Sequence, residues 1–285
     1  MECTPVSYRS ILTIWDGKDS SIASVRKAIN LTLEAGGHLH IICPAYISIL
    51  QTQAYPYTGI PVELMDEERE RAENEVIKLV SEAERFAKEE VIFYSVEAAV
   101  INRDQLSNLM SQTAKFCDLV VLPRPFGPER TEVDEKITES ALIDSECPVL
   151  IIPDEDSGHR ETNAVIAWDG STHALRAVRS AIPLLKKATK VDIVIIANTR
   201  HTEIEAEVSN DIATFLTRHR INVEVNVLPH SAAKISDILR THANELGANL
   251  IVMGGYGHSP MREFLFGGPT RNMLQDCRVP ILMAH

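Results

Sequence analysis

Three glycines in the last third of the chain have the type and spacing to cradle a phosphate. Gly254 follows an apolar run, Gly257 comes next, and Gly267 completes the pattern Gly-x2-Gly-x9-Gly. Without a Cβ, the backbone at Gly254 and Gly257 can approach a ligand closely. Gly267 and Gly268 then lead into Pro269-Thr270-Arg271-Asn272-Met273-Leu274, which reads as the start of a helix with proline in its first turn. The N–H groups of such a turn have no partner within the helix, and the helix dipole favours an anion there. Thr270 adds a hydroxyl donor. A carboxylate, Asp169, directly follows a second apolar run, Ala164-Val165-Ile166-Ala167-Trp168. A phosphate-bearing ligand next to Asp169 calls for a divalent ion, magnesium, to remove the repulsion between like charges.

The elements that must position these groups are written twice. Ile11-Leu12-Thr13-Ile14-Trp15-Asp16-Gly17 returns as Ala164-Val165-Ile166-Ala167-Trp168-Asp169-Gly170, at an offset of 153 residues. Val25-Arg26-Lys27-Ala28-Ile29 returns at the same offset as Val178-Arg179-Ser180-Ala181-Ile182. Asp118-Leu119-Val120-Val121-Leu122 matches Asn249-Leu250-Ile251-Val252-Met253 at an offset of 131. This is a duplication. Domains are expected at 1–153 and 163–285, joined by the polar linker 153–161. The lost offset places extra residues in the first half at 44–66, ahead of a charged helix of about 67–89.

Each half alternates β-branched apolar runs with helical patterns, the signature of βαβ units. In the second half strands are expected at 164–168, 191–197, 221–228, 249–254 and 279–284. The helices between them are expected at about 172–187, 203–219, 232–246 and 268–276, with Ser231 as a candidate cap and Gly247 as a stop. The fold class is therefore α/β, two doubly wound parallel-sheet domains of five strands each. Ligands of such sheets bind outside the carboxyl ends of strands, where strand order reverses. The apolar last strands, 148–152 and 279–284, are candidates for the contact between halves, an intramolecular pseudo-dimer that imitates a dimer of single domains. A homodimer of the whole chain is a further alternative.

Composition narrows the function. A formal charge of −12 disfavours a nucleic-acid footprint. No apolar run reaches the length of a membrane span, and the first residues lack the pattern of a secretory signal. The five cysteines are scattered without a CxxC, and Cys43, Cys117, Cys147 and Cys277, in or beside apolar segments, read as buried free thiols. A cytoplasmic protein is expected. His38 and His40 share a strand face but lack a third metal ligand. His173, His230 and His258 sit near strand ends, where a hydrogen-bonded surface histidine is the commoner reading. No hydrolase elbow or zinc-protease motif is present.

The glycine pattern and the aspartate after the first strand resemble the universal stress protein family, in a tandem form with two family domains in one chain. That pattern in the family ends in Ser or Thr, where this chain has Gly268. The resemblance covers nearly the whole chain except 44–66 and the linker. It implies a Rossmann-like or flavodoxin-like domain that binds ATP or ADP, with Ala197, Asn198 and Met253 near the adenosine. It also implies a stress-response regulatory protein acting through an unidentified protein partner. Two alternatives stay open: a slow magnesium-dependent ATPase, and an interaction module with vestigial sites. In the first half Pro123-Arg124-Pro125-Phe126 replaces the first glycine cluster, and prolines remove donors. One site per chain is expected, in the second half, and substitution of Phe126 is expected to leave nucleotide affinity untouched. Thr131 with Asp134 reads as an ordinary helix cap.

Overall fold

The β-branched runs become strands because their side chains pack well on a pleated surface buried from both sides. The computed structural model describes residues 7–47, 62–155, 163–197, 202–229, 233–255, 268–276 and 278–285. The first half runs β1 (Ser10–Ile14), α1 (Ile22–Ala35), β2 (His38–Tyr46), α2 (Val62–Glu89), β3 (Phe93–Ile101), α3 (Arg103–Ala114), β4 (Leu119–Pro123), α4 (Glu132–Glu139) and β5 (Val149–Ile152). The second repeats the order: β6 (Asn163–Ala167), α5 (Thr172–Leu185), β7 (Lys190–Ala197), α6 (Thr202–Arg218), β8 (Val223–Pro229), α7 (Ile235–Glu245), β9 (Leu250–Gly254), α8 (Gly268–Asp276) and β10 (Ile281–Ala284).

All ten strands join one sheet, ordered β3-β2-β1-β4-β5-β10-β9-β6-β7-β8. Every pairing is parallel except β5 with β10, the seam between the halves. Leu150 and Leu282 pair across that seam, and they are equivalent residues, joined to Val121 and Val252 respectively on their inner sides. Equivalent residues facing each other in an antiparallel pair place a pseudo-twofold axis between them. The seam strands are fully buried, so the two halves share their core. One face of the sheet is covered by α1, α2, α5 and α6 over a continuous apolar cluster. The other is covered by α3, α4, α7 and α8.

The duplicated residues do duplicated work. The Asp118 carboxylate accepts from the N–H groups of Arg9 and Ser10 at 2.7 and 2.9 Å. Asn249 Oδ1 accepts from the Asn163 N–H at 3.4 Å, fixing the start of β6 as Asp118 fixes that of β1. Gly17 and Gly170 both stand at positive φ, 76° and 75°, where a side chain is strained.

Boundaries shift where tertiary pairing decides them. Pro44, Ala45 and Tyr46, expected in the extra segment, belong to β2 and pair with Ala99, Val100 and Ile101. Proline is tolerated there because β1 stops pairing at Ile42, so Pro44 needs no N–H on that side. Helix α2 starts at Val62 rather than 67. Helix α7 starts at Ile235 with Lys234 at its N-cap and no side-chain cap bond, whereas Ser231 lies outside the described residues. Strand β8 starts two residues late because Arg220 takes a left-handed turn at φ 64°.

Candidate functional site

Strand order reverses at β6. The chain steps from β6 outward to β7 and β8, then returns to the other side of β6 as β9. Ala167 pairs with Met253, so the two strand ends open side by side, and the turns that follow carry Asp169 and Gly254. Asp169 Oδ1 accepts from the Ser171 N–H at 2.9 Å, and Ser171 Oγ accepts from the Ala174 N–H at 3.1 Å. This pair of short loops caps α5 and holds the carboxylate at the rim. Ala197 ends β7 on the far side of β6. Gly268, Pro269 and Thr270 open α8, and Thr270 is buried. Asn198, Gly257 and Gly267 lie outside the described residues.

Gly254 has a structural reason of its own. A Cβ there would stand 2.7 Å from the Ala174 nitrogen and 3.0 Å from the His173 carbonyl carbon. The close approach that this glycine permits is thus to the first turn of α5. Gly255 donates to the Ala284 carbonyl at 2.8 Å. Its own carbonyl accepts from His285 Nδ1 at 3.2 Å, and His285 stacks on His173 at 4.4 Å. His173, a candidate border group in the sequence, therefore packs beside the strand ends. His40 instead pairs with Glu97 at 3.0 Å, at the far edge of the first half.

Sequence reasoning missed Trp168. It sits one residue before Asp169, is 9 % exposed, and its indole N–H is buried without a hydrogen-bond partner among the described residues. The signal was on the page, since Trp15 and Trp168 repeat, but a repeated residue type does not disclose its partner.

The equivalent place in the first half is closed. The Lys18 ammonium lies 2.9 Å from Asp16 and 3.8 Å from Asp134. Arg130 is 2 % exposed at its side chain and faces Asp134 and Asp154 at 3.4 and 3.5 Å. It also donates to the Ser20 carbonyl at 2.8 Å and to Ser21 Oγ at 3.3 Å. Thr131 and Asp134 form the reciprocal cap expected of them. What remains at the ends of β1, β2 and β4 is a cavity of about 20 Å³ lined by Ile14, Asp16, Tyr46, Leu122, Asp134 and Thr138. That is room for about one water. A guanidinium held by two carboxylates fills this place, and no anion is needed to balance it.

Among the described residues, no group of three or more His, Cys, Asp or Glu is arranged to hold a metal. No helix among them is long and apolar enough to cross a membrane.

Residues 162–285 match the sequence pattern of the Universal stress protein family. No curated protein gives a significant match to the chain. Two solved structures share its fold over nearly its whole length. A universal stress protein from Archaeoglobus fulgidus DSM 4304 superimposes with a TM-score of 0.70 at 16% identity, covering 96% of this chain and 95% of that one. A functionally unknown protein from Pseudomonas aeruginosa PAO1 does so with a TM-score of 0.61 at 14% identity, covering 96% of this chain and 92% of that one.

Proposed function

Because residues 162–285 form a domain of the universal stress protein family, we propose that the chain binds one adenine nucleotide, ATP or ADP, at the carboxyl edge of β6 and β9. One observation carries this reading: strand order reverses at the place where Asp169, Met253 and Gly254 come together. In open α/β sheets that crevice is where ligands sit. The adenosine lies against Met253 and the end of β7 at Ala197 and Asn198. The phosphates lie at Gly257, Gly267 and the first turn of α8, where Gly268 and Thr270 offer N–H groups and Thr270 a hydroxyl. Pro269 offers no N–H, and its place in the first turn leaves no helical bond unmade. A magnesium ion is held by the phosphates, with Asp169 as its protein ligand. The first half, 1–153, is a domain that binds no nucleotide, and 163–285 is the binding domain. The chain acts as a cytoplasmic regulatory protein that reports nucleotide occupancy to a protein partner.

Calorimetric titration of the whole chain with ATP tests the reading. It should saturate at one nucleotide per chain, more tightly with magnesium than with a chelator. Asp169→Ala and Thr270→Val should each weaken binding about tenfold, the worth of one hydrogen bond to a charged group. Two nucleotides per chain, or none, would overturn it.

A further inference from the structure

The closed loop of the first half reaches across to the helix that opens the second half's site. Arg124 Nη1 donates to the carbonyl of Gln275, in the last turn of α8, at 3.1 Å. One turn earlier on the same helix, the Arg271 guanidinium carbon lies 5.0 Å from the centre of the Phe126 ring. Residues four apart share a helix face, so this loop grips one face of α8 at two points a turn apart. A cation at Gln275 also answers the unpaired carbonyls and the negative dipole of a helix carboxyl end.

The gripping loop is itself anchored. Arg124 Nη2 donates to Asp154 Oδ2 at 3.1 Å, and Asp154 in turn meets the buried Arg130. Pro123 and Pro125 restrict the backbone on either side of Arg124. Phe126 is 8 % exposed and belongs to the apolar cluster beneath α3, α4, α7 and α8. A second contact secures the β9 turn: a Cβ on Gly255 would come within 2.8 Å of Leu142 Cδ2 from the first half.

The geometry points to a positioning role for Arg124 and Phe126: the first half, its own cradle closed, fixes the tilt and register of α8 so that Gly268 and Thr270 present their N–H groups to the phosphates. This rests on the nucleotide reading above, and it makes both halves parties to one binding event. Neither residue touches the ligand. On this proposal Phe126 bears on affinity, contrary to the expectation from sequence, which did not show that its ring meets Arg271.

The experiment uses the full chain and two readouts, ATP affinity and backbone hydrogen exchange of residues 268–276. Arg124→Ala and Phe126→Leu should each speed exchange in α8 and weaken ATP about tenfold, while exchange in β4 and β9 stays as in the wild type. Phe126→Trp, which keeps a ring for the guanidinium, should stay within about twofold of the wild type. Leucine fills similar space without a ring, so a merely space-filling role would leave Phe126→Leu as good as Phe126→Trp, and that result overturns the proposal. So does unchanged exchange in both damaging variants, or faster exchange with unaltered affinity. If the wild type binds no ATP, the nucleotide reading fails by itself. The hold on α8 is then decided by exchange alone: faster in Arg124→Ala and Phe126→Leu upholds it, unchanged refutes it.

Discussion

Trp15 and Trp168 occupy the same place in the two repeats and differ in their hydrogen bonding. Trp15 donates its indole N–H to Glu82 at 3.1 Å and meets Phe86 edge-on at 5.1 Å. Trp168 has no partner for its N–H among the described residues. The neighbours are nevertheless repeated. Tyr94 and Val223 hold matching register positions beside β2 and β7. Val91 and Arg220, three residues before them, both take left-handed turns. Counting back from those turns, Phe86 matches Phe215 and Glu82 matches Asp211. Asp211 is one methylene shorter and exposed. At the strand ends Arg130 fills the first half's crevice, its terminal nitrogens meeting Ser20, Ser21, Asp134 and Asp154 while its Nε finds no partner among the described residues. Buried polar atoms without a partner among the described residues stand in both halves, Arg124 Nε and Arg130 Nε in the first and the Trp168 indole N–H in the second, so the contrast lies in the bond that Trp15 makes and in the cation that occupies one crevice.

The contrast is most sharply tested at Gly257. Gly257→Val should lose about two phosphate hydrogen bonds, roughly 3–6 kcal/mol, and abolish binding at micromolar ATP. A titration in which that variant still binds would put the site elsewhere.

Next in size is the filled crevice. Arg130→Met removes the buried cation that Asp134 and Asp154 share, leaving them only Lys18 and Arg124, and should cost about 3 kcal/mol of stability in urea unfolding. A change below about 1 kcal/mol would mean the network is solvated rather than buried. Glu82→Ala should then cost about 2 kcal/mol, because it leaves the Trp15 N–H in the state Trp168 is already in. If chemical unfolding shows no loss, the two tryptophans do not differ in energy.

Cys43 in β2 corresponds to Ile195 in β7 and is as buried as an apolar residue. Burial, with a smaller push from the Glu82 charge, raises its thiol to about 12. A thiol of the unfolded chain ionises near pH 8.5, so the folded state holds this proton more tightly. The stability it contributes is complete below about pH 8.5 and is lost as pH rises toward 12. At pH 9.5 the loss should be about 1.4 kcal/mol relative to Cys43→Val. Parallel pH profiles of the two proteins would refute the assignment. The smallest effect is expected at Asp211→Glu, which should give Trp168 the acceptor Trp15 has and raise stability by about 1 kcal/mol. An unchanged melting curve would show that the longer carboxylate does not reach.

The strands were legible because their apolar runs are short, β-branched and repeated. The second half's elements stand within a few residues of the positions their periodicity implies, and Gly247 ends α7 with φ 61°. Asp169 and Met253 were legible as neighbours because parallel topology brings alternate strand ends together. The reason for Gly254 was not, since its close approach is to a helix 80 residues earlier in the chain. Nor was the early start of α2, where the residues before 67 carry good helix formers but no strong periodic face.

By itself the sequence determined the duplication, the α/β class, the apolar seam strands and the loss of glycines from one of two equivalent loops. These follow from residue type and spacing along the chain, which local propensity and periodicity read directly. Tertiary structure alone decided that the seam fuses two sheets into one and that Arg130 closes the first crevice. It alone brought Arg124 and Phe126 onto α8, some 150 residues away. Such contacts depend on where two distant surfaces come to rest when a shared core is buried, and no local pattern records that.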